Sequence, residues 1–494
     1  MSISQITPPY SAAALHPPHR RSAAIWHDAR LAPALAAALC AFLITAFAPQ
    51  VFNDSDTYWH ITAGQWMLSH GAVLHSDPFS FTAYGKPWHT QEWLAEILMA
   101  LSFRAGGWAG VATLSGAAAA ALAGLLAYHL GRWLGRLSLA VVLVVSLACV
   151  AGSLLARPHL LALPLLEIWA AGLVIARSEN RAPSFALLPV MTLWANLHGS
   201  FMAGLALIVP LALEAVLTAE RERGRVATRW ALFLLAAIAA AAITPFGPES
   251  LIFPPKLMAL GGLAHIGEWQ AADFSTITPL EIALLATIFV VVSRGIKIPP
   301  IRLLLLLGLT HFALKHVRHE MILAVVAPLL LAEPLANGLN EGAKKTTAAV
   351  PFHPMIAGVL GLLLAAGLIL RLSLPIVRTD GAMTPRTALA HVPPELKQLP
   401  LLNDYAFGGY LIFSGIEPFI DSRADLHGDA FLKNYAKLKA GDSAALAHTL
   451  QTYRIRWALL EPHTPLTAAL SAMPGWHEVY SDNTAAVFTQ RVPG

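Results

Sequence analysis

LAPALAAALCAFLITAFAPQVFNDSDTYWHITAGQWM, residues 31–67, changes character at one point. Residues 31–48 carry no charge and approach the roughly 20 residues that span about 30 Å of hydrocarbon. Two aspartates, Asp54 and Asp56, follow on either side of a serine, and then an aromatic cluster. Such an order reads as a helix leaving a bilayer and meeting its aqueous boundary. Working outward, apolar runs recur at 108–130, 137–156, 160–176, 184–197, 199–217, 230–244, 279–293, 303–314, 321–335 and 356–372, which with the first make about eleven. The runs at 184–197 and 303–314 are short enough to be half-helices or broken helices. Beyond 372 the pattern stops.

Composition agrees. The 494 residues are 56% hydrophobic and only 13% charged, with a mean hydropathy of +0.59, whereas about a quarter of the residues of a soluble domain are charged. The fold class expected is an α-helical polytopic membrane protein followed by a small α/β domain. Both cysteines, Cys40 and Cys149, fall inside apolar runs, which excludes a disulfide framework and a thiolate metal site. A net charge of +4 is no nucleic-acid signature. The first thirty residues include Arg20, Arg21 and Arg30, with no small-residue cleavage site after the first apolar run, so that run reads as an uncleaved helix.

The basic residues locate the two sides of the membrane. With residues 1–30 as a cytoplasmic tail, alternate loops carry Arg132 and Arg136; Arg177 and Arg181; Arg221, Arg223, Arg225 and Arg229; Arg294, Lys297 and Arg302; and Lys344 and Lys345. All land inside by the positive-inside rule, and the C-terminal domain lands outside, in the periplasm of a Gram-negative cell. The domains expected are thus a membrane domain over 31–376, with a first outer loop at 51–107, and a periplasmic domain over 377–494. No internal repeat is evident, so an inverted-repeat transporter gains no support.

The outward loops differ in kind. In 51–107, Tyr58, Trp59, Ile61 and Trp66 suit the apolar face of a helix at the interface, and residues 91–103 suit a second helix with Glu92 and Glu96 one turn apart. Asp54 and Asp56 can act as a base or bind a divalent cation; they are equally good helix N-caps, and Glu92 equally a first-turn acid favoured by the helix dipole. Later outward turns add Arg157 and His159, Asn196 and His198, Glu268 and Asp273, then His316, Arg318, His319 and Glu320. Singly, each reads as a satisfied or snorkelling polar group. Together on one face they suggest a shared site. Its chemistry would pair an acid that deprotonates an acceptor hydroxyl with cations that stabilise a departing phosphate. Arg157 and Arg318 suit phosphate through bidentate contact, with His159, Asn196, His198, Glu268, His316 and His319 around donor phosphate or sugar. His316 and His319, three residues apart, hint only loosely at zinc, so no metal ligand set is assigned and a divalent cation stays open.

The stretches NDSDTYWHITAGQWMLSHGAVLHSDPFSFT (53–82), KPWHTQEWLAEIL (86–98), RPH (157–159), WANLHGSF (194–201) and ALKHVRHE (313–320) resemble a group of bacterial multi-pass proteins placed with the GT-C glycosyltransferases. The likeness extends to NDYAFGGYLIF (403–413), PFIDSRADLHG (418–428) and EVYSDNTAAVFTQR (478–491), similar to that group's extracytoplasmic domain. Protein O-mannosyltransferases and lipid A aminoarabinose transferases are related enzymes. The resemblance implies a GT-C fold in the inner (cytoplasmic) membrane and inverting transfer from a polyprenyl-phosphate-linked sugar to a glycan, lipid or protein acceptor. It makes Asp56, or else Asp54, the acceptor-activating carboxylate and Glu92 a second acid.

In the last hundred residues, short apolar runs at 410–413, 418–420, 457–460 and 485–488 alternate with helices expected at 429–439 and 443–453. Gly408 and Gly409 read as a tight turn before a strand. Asp421, Arg423 and Asp425 read as a ligand-facing edge or as a salt-bridged strand end. Two other functions stay open: a transporter or flippase for a polar or lipid-linked solute, and a non-catalytic assembly protein of the same fold.

Overall fold

Each of the eleven apolar runs up to residue 372 contains a helix. The computed structural model describes residues 28–341 and 354–490; Arg20, Arg21, Lys344, Lys345 and Arg491 lie outside them. In chain order the helices are α1 (Leu31–Phe47), α2 (Asp56–His70), α3 (Trp93–Leu130), α4 (Arg136–Val150), α5 (Pro158–Ser178), α6 (Leu188–Leu197), α7 (Phe201–Thr218), α8 (Arg223–Ala241), α9 (Glu249–Met258), α10 (Pro279–Ser293), α11 (Pro300–Lys315), α12 (Glu320–Gly338) and α13 (Pro354–Ser373). Among the described residues seven helices are long and apolar enough to cross a membrane, namely α3, α4 with its following turn, α5, α7, α8, α12 and α13. Of the eleven spans expected, α1, α6 and α10 form shorter apolar helices, and α11 carries Arg302 near its start.

Helices α3 to α8 and α12 enclose a core around Trp169, Trp194 and Trp230. By contrast, α10 buries only Leu280 and leaves Ile282, Leu285, Ile288, Phe289 and Val292 uncovered. Water does not tolerate such a face, whereas hydrocarbon does. At one end of the bundle, Arg177 and Arg302 both pair with Glu214 at 3.1 Å, and Arg302 reaches Glu333 at 3.3 Å. These residues tie the ends of α5, α7 and α12 to the start of α11. The connections after α1, α4, α6, α8 and α11 gather at the opposite end.

That opposite end is organised by glycine. Gly106 and Gly107 interrupt α3 with non-helical dihedrals, Gly107 at φ 56°; a side chain there would be strained. The segment before this corner runs across the bundle end, and α2 packs on it so closely that a Cβ on Gly64 would lie 2.0 Å from the Glu96 carbonyl oxygen. This approach sets His60, one turn earlier on α2, beside Glu92 and Glu96. The aromatic face of α2 does not lie on lipid, contrary to expectation. Tyr58 and Trp59 are buried, Tyr58 packing edge-on to Trp108, Tyr410 and Phe413 at 5.2–5.5 Å. The C-terminal domain covers it.

That domain is a four-stranded sheet in the order β1-β2-β4-β3, with β1 (Leu401–Asn403) parallel to β2 (Trp457–Leu460) and the pairs with β3 (Trp476–Ser481) and β4 (Ala486–Gln490) antiparallel. Helices α14 (Gly408–Phe413), α15 (Asp429–Lys439), α16 (Ser443–Thr452) and α17 (Pro465–Ser471) flank it. Two readings of the apolar runs need correction: 410–413 is helical, and 418–420 is irregular chain. Gly408 and Gly409 open α14, and a Cβ on Gly409 would lie 2.0 Å from the Ser55 carbonyl oxygen. The glycines serve close backbone approach, and the neighbour at Gly409 is the serine between the two aspartates.

A second clasp is ionic. Arg423 donates to both oxygens of Asp421, at 2.8 and 2.7 Å, and to Asp77 of the first loop at 2.6 Å, with its guanidinium 4.7 Å from the Trp88 ring. All three charged groups are fully buried. Removing one partner of such a set strands the others in low dielectric. Arg423→Ala is expected to destabilise the domain and its docking by about 3–5 kcal/mol, read as a lowered melting temperature and faster proteolysis within 377–490.

Candidate active site

Three carboxylates from two segments converge on Arg157, the residue before α5. Its Nη1 lies 3.1 Å from Asp54 and 3.0 Å from Glu268, and its Nη2 pairs with Asp56. The other Glu268 oxygen takes Arg318 at 3.0 Å, and the Arg318 guanidinium lies 4.2 Å over the Trp269 ring. Asp54 also accepts the backbone N–H of Asp56 at 2.7 Å. One oxygen of Asp54 thus caps the start of α2, and the other holds Arg157.

Electrostatics separates these acids. Burial raises Asp54 to about 7, against the pull of Arg157 and with help from Asp56. Burial also works on Glu268, but Arg157 and Arg318 outweigh it and hold that carboxyl at about 2. Acids set this far apart in one place can divide proton-holding from charge-holding roles.

Glu92 is the third element. It immediately precedes α3 with its backbone as N-cap, but its carboxyl makes no cap hydrogen bond. It lies instead between two imidazoles, His198 Nε2 at 3.3 Å and His60 Nε2 at 3.6 Å. His198 Nδ1 accepts from the Ser200 backbone N–H at 3.1 Å and sits 2.8 Å from Ser200 Oγ. That leaves Nε2–H to donate to Glu92. Burial first, then the charges of Arg157 and other basic neighbours, push His60 and His198 well below the usual histidine range. Burial lifts Glu92 to about 8, opposed by Arg157 and Arg318. On its far side His60 Nδ1 meets Glu96 at 3.2 Å.

These groups line one cavity of about 910 Å³. Its polar end carries Asp54, Asp56, Glu92, Arg157, Glu268 and Arg318. Its other end is a groove walled by Met202, Ala206 and Leu207 of α7, Phe253 and Met258 of α9, and Leu304, Leu305, Leu309 and Phe312 of α11. Leu304 is 65% exposed and Phe312 50%. The groove therefore opens sideways onto the apolar flank of the bundle.

Of the residues singled out in the sequence, the structure brings together Asp54, Asp56, Glu92, Arg157, His198, Glu268, Arg318 and His319 on the cavity wall. His159, Asn196, Asp273, His316 and Glu320 do not belong to it. His159 is bonded to the Ser153 carbonyl at 2.7 Å. Asn196 accepts from Trp93 Nε1 and donates to the carbonyls of Thr192 and Ile243, all at 2.8 Å. His316 Nδ1 is satisfied by the Trp269 carbonyl at 2.6 Å. His159, Asn196 and His316 each meet a backbone carbonyl at or just beyond a helix end, those of Ser153, Ile243 and Trp269. Arg157 also changes character, because with three acids on it a phosphate would be repelled. Sequence reasoning assigned no role to His60, Trp269 or Tyr405 and placed Trp59 on an interfacial helix face; all four line the cavity. His60 had a signal: it lies four residues after Asp56, on the turn that faces Glu92.

The residues do not suit a divalent cation. The Arg157 guanidinium stands where the two aspartates and Glu268 converge, which is where such an ion would sit. Among the described residues no group of three or more His, Cys, Asp or Glu has metal-binding geometry. No protein-family model matches the chain, and no curated protein matches it.

Asp54 and Glu92 bind protons more tightly in the folded than in the unfolded chain, so their contribution favours folding at low pH and is lost as pH rises through about 7 and about 8. Glu92→Gln is expected to make the fall in melting temperature between about pH 5 and about pH 9 shallower than in wild type. Parallel curves for the two proteins in detergent would count against a proton held on Glu92.

Proposed function

We propose that the chain is an inverting membrane glycosyltransferase of the GT-C type, moving a sugar from a polyprenyl-phosphate donor to an acceptor at the outer face of the inner membrane. The observation that carries this reading is the two-part cavity, an acid and guanidinium cluster continuous with an apolar groove that opens sideways. Nine residues along α11, from Leu304 to Phe312, cover about 12 Å at 1.5 Å per residue. Such a groove accepts a long apolar tail while its head reaches the acids. A carrier would need a path to the opposite end, where the buried set of Arg177, Glu214 and Arg302 closes the bundle.

In this reading the acceptor hydroxyl attacks the anomeric carbon and Asp56 takes its proton. The bond from that carbon to the phosphate oxygen breaks, and the polyprenyl phosphate departs with its charge toward Arg318. Asp54, Arg157 and Glu268 position Asp56. Glu92, held by His60 and His198, is the second acid. Arg318 suits the phosphate better than Arg157, having a single carboxylate partner and a place on the cavity wall.

Asp56→Asn is expected to lower sugar transfer roughly 10²- to 10⁴-fold with membrane level unchanged, read in a glycan mass profile of a deletion strain carrying the variant. An unaltered profile in both the deletion and the variant would defeat the enzyme reading. Gly308 faces the groove, and a Cβ there meets no atom within 4 Å. Gly308→Leu should therefore leave folding intact and raise the KM for the lipid donor more than it lowers kcat.

A further inference from the structure

The roof of the cavity belongs to the C-terminal domain, and it carries chemistry that the roles above leave unused. Tyr405, Ser422, Arg423 and Asp425 all line the cavity. Arg423 is tied to Asp77 and Asp421, and Ser422 Oγ accepts the Trp59 Nε1–H at 2.9 Å. Asp425 differs. Among the described residues its carboxyl makes no hydrogen bond or ion pair to another residue. The other acids on the wall have partners: Asp54, Asp56 and Glu268 on Arg157, and Glu92 and Glu96 on histidine.

Asp425 is partly exposed on the cavity wall and its carboxyl is met only by its own backbone N–H, so its oxygens keep capacity for the donors of a bound ligand. Burial pushes Asp425 up to about 6, against the lowering effects of its own backbone N–H and of the Arg423 charge. Nearby on the floor, the Glu96 Oε2 atom is buried and lacks a hydrogen-bond partner. Between roof and floor stands the Trp59 indole, held by Ser422 and lying 3.6 Å from the His60 ring. The Tyr405 hydroxyl donates to the Ser422 carbonyl at 3.3 Å, which keeps its ring at the same edge.

Taking the glycosyl-transfer reading as its basis, we infer that Asp425, with Tyr405 and the Trp59 ring, forms a hydroxyl-binding subsite through which the C-terminal domain selects a sugar ring. A carboxylate offers two oxygens to neighbouring ring hydroxyls, and an indole face accepts the C–H side of a pyranose. Loss of such a contact discriminates strongly between epimers, because a buried polar group is then left unmet. The ring is that of the donor or that of a glycan acceptor, and the assay separates the two.

Membranes from a deletion strain carrying full-length wild type, Asp425→Asn or Asp425→Ala are assayed with polyprenyl-phosphate-linked glucose, mannose and galactose. Protease protection of 377–490 checks that the roof stays docked. Asp425→Ala is expected to lower kcat/KM for the preferred hexose about 10- to 100-fold and to flatten the preference among epimers. Asp425→Asn, which still accepts hydroxyl bonds, should keep an intermediate rate. A rise in donor KM assigns the ring to the donor, and a rise in acceptor KM assigns it to the acceptor. Wild-type rates and preference in both variants would overturn the inference. So would equal loss in both, which would mean a charge requirement for a substrate cation. Absence of transfer by the wild type from all three hexoses, together with an unaltered glycan profile in the deletion strain, would instead defeat the glycosyltransferase reading.

Discussion

One guanidinium holds the end of the bundle together. Arg157 stands where α5 begins and draws Asp54 and Asp56 from the start of α2 and Glu268 from the connection between α9 and α10. Desolvating a cation is expensive, and the carboxylates offset that cost only if all keep good geometry. Loops that would otherwise move independently are thereby fixed to a single point. Glu268 passes the constraint on to Arg318 and Trp269, so α11 and α12 share the same anchor.

Much of the fold was legible because bilayer thickness is a strong constraint on helix length. Apolar runs at 279–293 and 356–372 coincide with α10 and α13 to within about two residues. The Gly106–Gly107 corner was legible as a break between two helical patterns. The short runs of the C-terminal domain were misread at 410–413, where apolar periodicity over four residues does not separate strand from helix. What decided the outcome was the backbone contact between Gly409 and Ser55, which no local pattern encodes.

Site residues followed a similar division. Acids and arginines stood out because charge near an apolar run is rare, and Asp54, Asp56, Glu92, Arg157, Glu268 and Arg318 meet around one cavity. His159, Asn196 and His316 stood out equally but serve carbonyls at or just beyond helix ends. Sequence cannot tell these apart, because both kinds sit at the mouth of a helix. Trp59 was hidden for the opposite reason, since an aromatic residue near an interface suggests lipid before it suggests a cavity wall, and Tyr405 carried no signal at all.

The seam between Ser55 and Gly409 also orders assembly. Trp59 and Ser422, which meet across it, are separated by 363 residues of chain. A ribosome delivers the aspartates early and the roof last. Until the final hundred residues arrive, the acids and the aromatic face of α2 stand open to solvent, the type of surface that folding intermediates present to proteases and chaperones. Closure of the site and completion of the polypeptide are nearly one event, so truncation near the C-terminus would be felt in the membrane domain.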